Sequence, residues 1–175
     1  MSLTIEEMEL TPNARRAAEL VQAKHPWVQW TSGRRGVYGQ ARAMAANVVK
    51  YGPDWLDETY KDKRMVNMLT FHCQAHPDQM VSIKLLAAGF FEQLMEHYSG
   101  DMQRFPHIMG DAFDAAHPIV KRGELWVIDK PKSEELCHTI ETLPKELGLQ
   151  LLLTKEGKHD VIHAQFSHLP QSVEV

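Results

Sequence analysis

The sequence predicts an α+β fold: an N-terminal helical bundle around a central apolar helix at about 77–98, with a C-terminal β-α-β-β unit at about 123–167 packed against it. Three observations carry this. First, Met80, Ile83, Ala87, Phe90, Leu94 and Tyr98 recur at helical spacing, and Val81, Leu85, Ala88, Phe91 and Met95 line the adjoining flank. Together they cover more than half the helix circumference, so neighbouring elements are expected to wrap it. Second, runs of strand type begin only after Gly123. Third, no linker, repeat or low-complexity tract divides the 175 residues, so a single domain over 1–175 is expected, helical over about 4–120.

The elements follow from local signals. Thr4-Ile5-Glu6-Glu7 has the form of a capping box. Thr11 and Pro12 suit a helix start, and Ala14, Ala17, Ala18, Leu20 and Val21 give that helix its apolar face before His25-Pro26 stops it. A second helix is expected from about Arg35 to Lys50, ended by Gly52-Pro53. A short helix follows Asp54, and another runs from Met65 to about Ala75 after the charged connector 61–64. The central helix should start at Pro77, with Asp78 in its first turn and Gly100 after its end. Gly89 in its middle is unfavourable by about 1 kcal/mol against alanine, which points to close approach of a neighbour. Phe105-Pro106 should open a helix reaching Ala116.

In the C-terminal part, Leu125–Ile128 and Leu149–Leu153 read as strands, flanking a helix capped by Ser133. Lys155–Lys158 reads as a hairpin turn, and Ile162, Ala164 and Phe166 alternate as in a half-buried strand. The crossover rule makes the first two strands parallel.

Composition narrows the function classes. A net charge of −4 gives no global pull toward nucleic acid, although residues 15–64 hold ten Lys/Arg against five Asp/Glu. Two cysteines, Cys73 and Cys137, each inside an expected helix, suggest a reduced interior. The opening Met1-Ser2-Leu3-Thr4 lacks the pattern of a secretory leader, so a cytoplasmic setting is expected. Lys84, Glu92, Gln93, Glu96 and His97 interrupt the apolar helix, so no membrane partner is expected.

The leading candidate for chemistry is the loop Thr31–Gly36. Ser32, Gly33 and Gly36 are small, Arg34 and Arg35 supply forked donors, and a helix start presents unpaired amides to an anion. Trp27, Trp30 and Tyr38 could stack on bases, and Arg42 and Lys50 extend a basic strip. This favours a non-enzymatic protein that binds a phosphate-bearing partner, most plausibly nucleic acid, with no cofactor. The loop is not a P-loop, because no strand and no glycine-lysine-serine/threonine ending frames it.

Two alternatives stand beside it. A metal-dependent enzyme could use His72 and His76 on one helix face and His107 and Asp111 on another, with Glu92 and Glu96 adding carboxylates. Against it, His76 precedes a proline and none of these candidate helices carries a Glu-x-x-His pair. Cys73 near His76 lacks a third orienting group for covalent catalysis. The other alternative is an adaptor or regulatory protein, with a methionine-rich groove for a partner helix or a homodimer paired through the C-terminal sheet edge at Asp160–Phe166.

Overall fold

The computed structural model describes residues 2–100, 105–154 and 161–167. The expected turn at Lys155–Lys158 and the residues after 167 lie outside them. Within the described residues the protein is mixed α+β, with seven α-helices and two sheets. It divides into two compact units: unit 1 is Met1–Arg34 with Met109–Val175, and unit 2 is Arg35–Ile108.

Unit 1 contains α1 (Pro12–Lys24), β1 (Trp30–Ser32), β2 (Ala112–Ala116), β3 (Ile119–Arg122), β4 (Leu125–Ile128), α7 (Lys130–Glu141), β5 (Leu149–Leu153) and β6 (Val161–Phe166). Pro12 sits in the first turn of α1 as expected, and the Thr11 hydroxyl donates to Asp111 Oδ1 at 2.9 Å. Thr4 and Glu7 exchange the reciprocal hydrogen bonds of a capping box. One sheet runs β1-β2-β6-β5 and the other is the β3-β4 hairpin.

All these pairings are antiparallel: Leu149–Leu153 and Val161–Phe166 pair as their hairpin reading expects, while the expected parallel pairing of Leu125–Ile128 with Leu149–Leu153 is corrected. Leu125–Ile128 pairs with its immediate neighbour across Gly123, whose φ of 63° suits a tight turn. That short closure costs less chain entropy than a crossover. Ala112–Ala116 is strand where helix was expected: Gly110, at φ 81°, stops the short α6 (Pro106–Met109), and β6 then pairs the alanine-rich segment residue for residue. β6 is an interior strand, so it does not supply the expected dimerisation edge. α7 is capped by Asp129 and not by Ser133, with Pro131 in its first turn.

Alternation sends Phe113, Ala115, Ile162, Ala164 and Phe166 into one core with Ala14, Ala17, Ala18 and Val21 of α1 and Leu136 and Ile140 of α7. Ser32, Asp114 and His163 form a buried cross-strand row on the other face, where the His163 imidazole Nδ1 donates to Asp114 Oδ1 at 2.8 Å.

Unit 2 contains α2 (Val37–Tyr51), α3 (Asp54–Thr59), α4 (Lys63–Ala75) and α5 (Ile83–Tyr98). Asp62 caps α4 by accepting from the amides of Arg64 and Met65. The central helix starts later than expected: Gln79–Val81 is a separate 3-10 turn, and Ser82 caps α5. Its wrapping is also only partial. Leu86, Ala87, Phe90 and Leu94 are buried with Met44, Leu56 and Leu69, while Leu85 is 52% and Met95 41% exposed. Gly89 does sit against a neighbour, because a Cβ there would overlap the buried imidazole of His72 on α4. Among the described residues, no helix is long and apolar enough to cross a membrane.

Candidate nucleic-acid interface

The expected anion loop is put to other uses. Trp30 is 1% exposed, meets Phe113 edge-on at 5.0 Å and donates its indole N–H to Gln22 Oε1 at 2.8 Å. It is a core residue of unit 1 and presents no face to a base. Ser32 and Gly33 are buried, and a Cβ at Gly33 would overlap Met8. That glycine therefore permits packing of the chain on itself. The Arg34 amide donates to Met8 O at 2.7 Å and the Arg35 amide to His107 O at 2.8 Å. Two amides that an oxyanion would need are thus already bonded to carbonyls.

The basic strip is also divided. Ser32, Gly33 and Arg34 belong to unit 1, while Arg35, Gly36, Tyr38, Arg42 and Lys50 belong to unit 2. Unit 2 holds eight Lys/Arg and eight Asp/Glu, so the positive balance of residues 15–64 disappears when charge is counted by unit. Arg42 and Lys50 are exposed, and Tyr38 is exposed with its ring 5.7 Å from Phe91.

The expected metal ligands fare similarly. His72 and His76 do come together, with ring centroids 4.7 Å apart, but His72 Nε2 donates to Gln79 Oε1 at 3.0 Å. His107 and Asp111 do not share a helix, because α6 ends at Met109. Glu92 and Glu96 are exposed. Burial pushes the Cys73 thiol up to about 11 and also raises Cys137, the wrong direction for a nucleophile.

Unit 1 offers a different site. A cleft of about 320 Å³ is lined by Trp27, Gln29, Ala116, His117, Pro118, Ile119 and Lys132. This is within the range of small-ligand pockets. Trp27 follows the α1 stop, is 36% exposed and meets the buried His25 ring at 5.1 Å. Lys132, in the first turn of α7, holds its ammonium 5.8 Å from the Trp27 ring centroid and 3.8 Å from Asp129 Oδ2. His117 is fixed at both nitrogens. Nε2 lies 2.8 Å from Thr154 O and Nδ1 2.5 Å from Ser133 Oγ. A carbonyl can only accept, so in the neutral ring Nε2 carries the proton and Nδ1 accepts from the serine.

The cleft continues onto the hairpin. Register pairs Ile119 with Ile128 and Lys121 with Trp126, so alternation puts these four on one face. Ile119 on that face is also a wall of the cleft. Trp126 is 65% exposed and Lys121 is exposed. Trp27 and Lys132 thus line the cleft, while Lys121 and Trp126 lie on the hairpin face that carries its wall residue Ile119.

Of these residues the sequence reading singled out only Trp27 as a stacking candidate. The available signal for the hairpin was the β-branched pair Ile119-Val120 on the near side of Gly123, facing the strand-type run Leu125–Ile128 beyond it. The cleft itself gathers residues from three separate segments, and no local motif announces it. No protein-family model matches the chain, and no curated protein or solved structure shows significant similarity to it.

Proposed function

We propose that this protein binds a phosphate-bearing partner, most plausibly single-stranded nucleic acid, without catalysing a reaction on it. The supporting observation is the register that puts Lys121 and Trp126 on the hairpin face whose first residue, Ile119, walls the cleft beside Trp27 and Lys132. Two exposed indoles suit sequence-tolerant base stacking, and two lysines suit the phosphates between bases. Unit 1 carries eleven Lys/Arg and fifteen Asp/Glu, so attraction has to be local to this surface.

The test is fluorescence anisotropy with labelled single-stranded DNA and RNA. Base–aromatic stacking contributes about 1–3 kcal/mol per base, so Trp126→Ala should weaken binding by about 5- to 150-fold. Replacing Lys121 and Lys132 together by alanine should make the log-log salt slope shallower by about 1.4. Wild-type protein that shifts neither oligonucleotide would end the proposal. So would a Lys121/Lys132/Trp126 triple variant that binds normally while Arg34→Ala/Arg35→Ala does not, since binding would then belong to the loop.

A further inference from the structure

The most apolar helix of the chain leaves one flank uncovered. On α5, Leu86, Ala87, Phe90 and Leu94 face the unit 2 core, while Lys84, Leu85, Ala88, Glu92 and Met95 are exposed. At 100° per residue these five fall on one stripe centred on Ala88, and the half-buried Phe91 borders it. Leu85 and Met95 are large apolar side chains in water, with the small Ala88 between them.

We propose that this stripe is where a second copy of the chain docks, antiparallel, with the two-fold axis passing beside Ala88. The arrangement of charge selects this occupant. Lys84 and Glu92 stand four residues to either side of Ala88. They are about 12 Å apart along their own helix, too far to pair with each other. Neither has an ion-pair partner among the described residues. A two-fold at Ala88 brings Lys84 of each copy level with Glu92 of the other, so the same ion pair forms twice and every charge is compensated. The same symmetry sets Leu85 near Phe91, and Ala88 on Ala88 lets the backbones approach. A parallel pair would instead set lysine against lysine and glutamate against glutamate. Isologous contacts of this kind are the commonest route to a dimer.

Sedimentation velocity on the full chain, free of nucleic acid, tests the idea across the micromolar range. The expected species is twice the 20.0 kDa monomer. Lys84→Glu alone and Glu92→Lys alone should each run as monomers, because each places like charges at both contacts. Mixing the two single variants should restore the dimer, since every contact then pairs a lysine with a glutamate; the Lys84→Glu/Glu92→Lys double variant should restore it too. Both substituted side chains, Lys84 and Glu92, are exposed, so circular dichroism should stay unchanged throughout. A monomeric wild type overturns the proposal. A dimer that survives both single reversals, or one that the mixture fails to restore, overturns it as well by placing the contact elsewhere.

Discussion

Gly89→Ala is the substitution on which the account of unit 2 can be judged most sharply. In an exposed helix the change would be favourable by up to about 1 kcal/mol, because alanine has the best intrinsic propensity. Here the new methyl would overlap His72 Nε2, lie 2.5 Å from its Cε1 and 2.8 Å from Gln79 Oε1. The imidazole belongs to the buried side of α4, with Phe90 at 6.0 Å, and its hydrogen bond to Gln79 is 3.0 Å long. To admit the methyl, His72 must leave that position. Overpacking of this kind costs about 1–3 kcal/mol. Loss of the hydrogen bond costs about 0.5–1.5 kcal/mol more. Subtracting the propensity gain leaves a destabilisation of about 1–3 kcal/mol, which in a chain of this size lowers Tm by about 2–12 °C. Urea unfolding followed by far-ultraviolet circular dichroism would measure it. The decisive comparison is a double-mutant cycle with His72→Ala. Once the ring is gone the methyl has room, so Gly89→Ala should become neutral or stabilising in that background. Equal destabilisation with and without His72 would show that the glycine is there for some other reason, and the packing argument would fail.

Two other outcomes follow from buried groups. Asp114→Ala strands the His163 ring nitrogen that it accepts from at 2.8 Å, so it should cost about 1–3 kcal/mol, with His163→Ala on top of it adding less than it costs alone; additive effects in urea unfolding would refute the pairing. The Cys73 thiol is held at about 11 in the folded chain against an ordinary value of 9.0, so the unfolded state loses its proton first as pH rises. The stabilising effect of the protonated thiol is complete below pH 9 and is lost between about 9 and 11, and a Cys73→Ala variant should lose that part of the alkaline slope in Tm against pH.

The legibility of this chain in its sequence varies with how local each determinant is. Thr11-Pro12 and Gly52-Pro53 mark helix ends that the structure keeps, because caps and prolines act on the backbone within a turn. Val161–Phe166 is strand, as its alternation suggests. Ala112-Phe113-Asp114-Ala115-Ala116 shows the limit. Its composition favours helix, yet β1 and β6 pair it from both sides, and tertiary pairing overrides propensity. The site fails to read out for a related reason. Trp30 and Trp27 look alike in sequence, but one is packed on Phe113 and the other lines the cleft. Sidedness of that kind is decided by which strand each residue adjoins. Charge windows mislead similarly, since residues 15–64 are basic while neither of the two units they span is.

The way unit 1 is assembled from both ends of the chain has a consequence for biosynthesis. When Trp30 leaves the ribosome, the strand it will join does not yet exist, and its indole has no Phe113 to meet. The whole of Arg35–Ile108 emerges first and has its own core to form, from helices with short connections, which is the rapid kind of folding. The leading segment must therefore wait, carrying an exposed tryptophan and the apolar side of α1. That interval is when the nascent protein is most open to chaperone capture, and shortening the stretch between Arg34 and Met109 should shorten it.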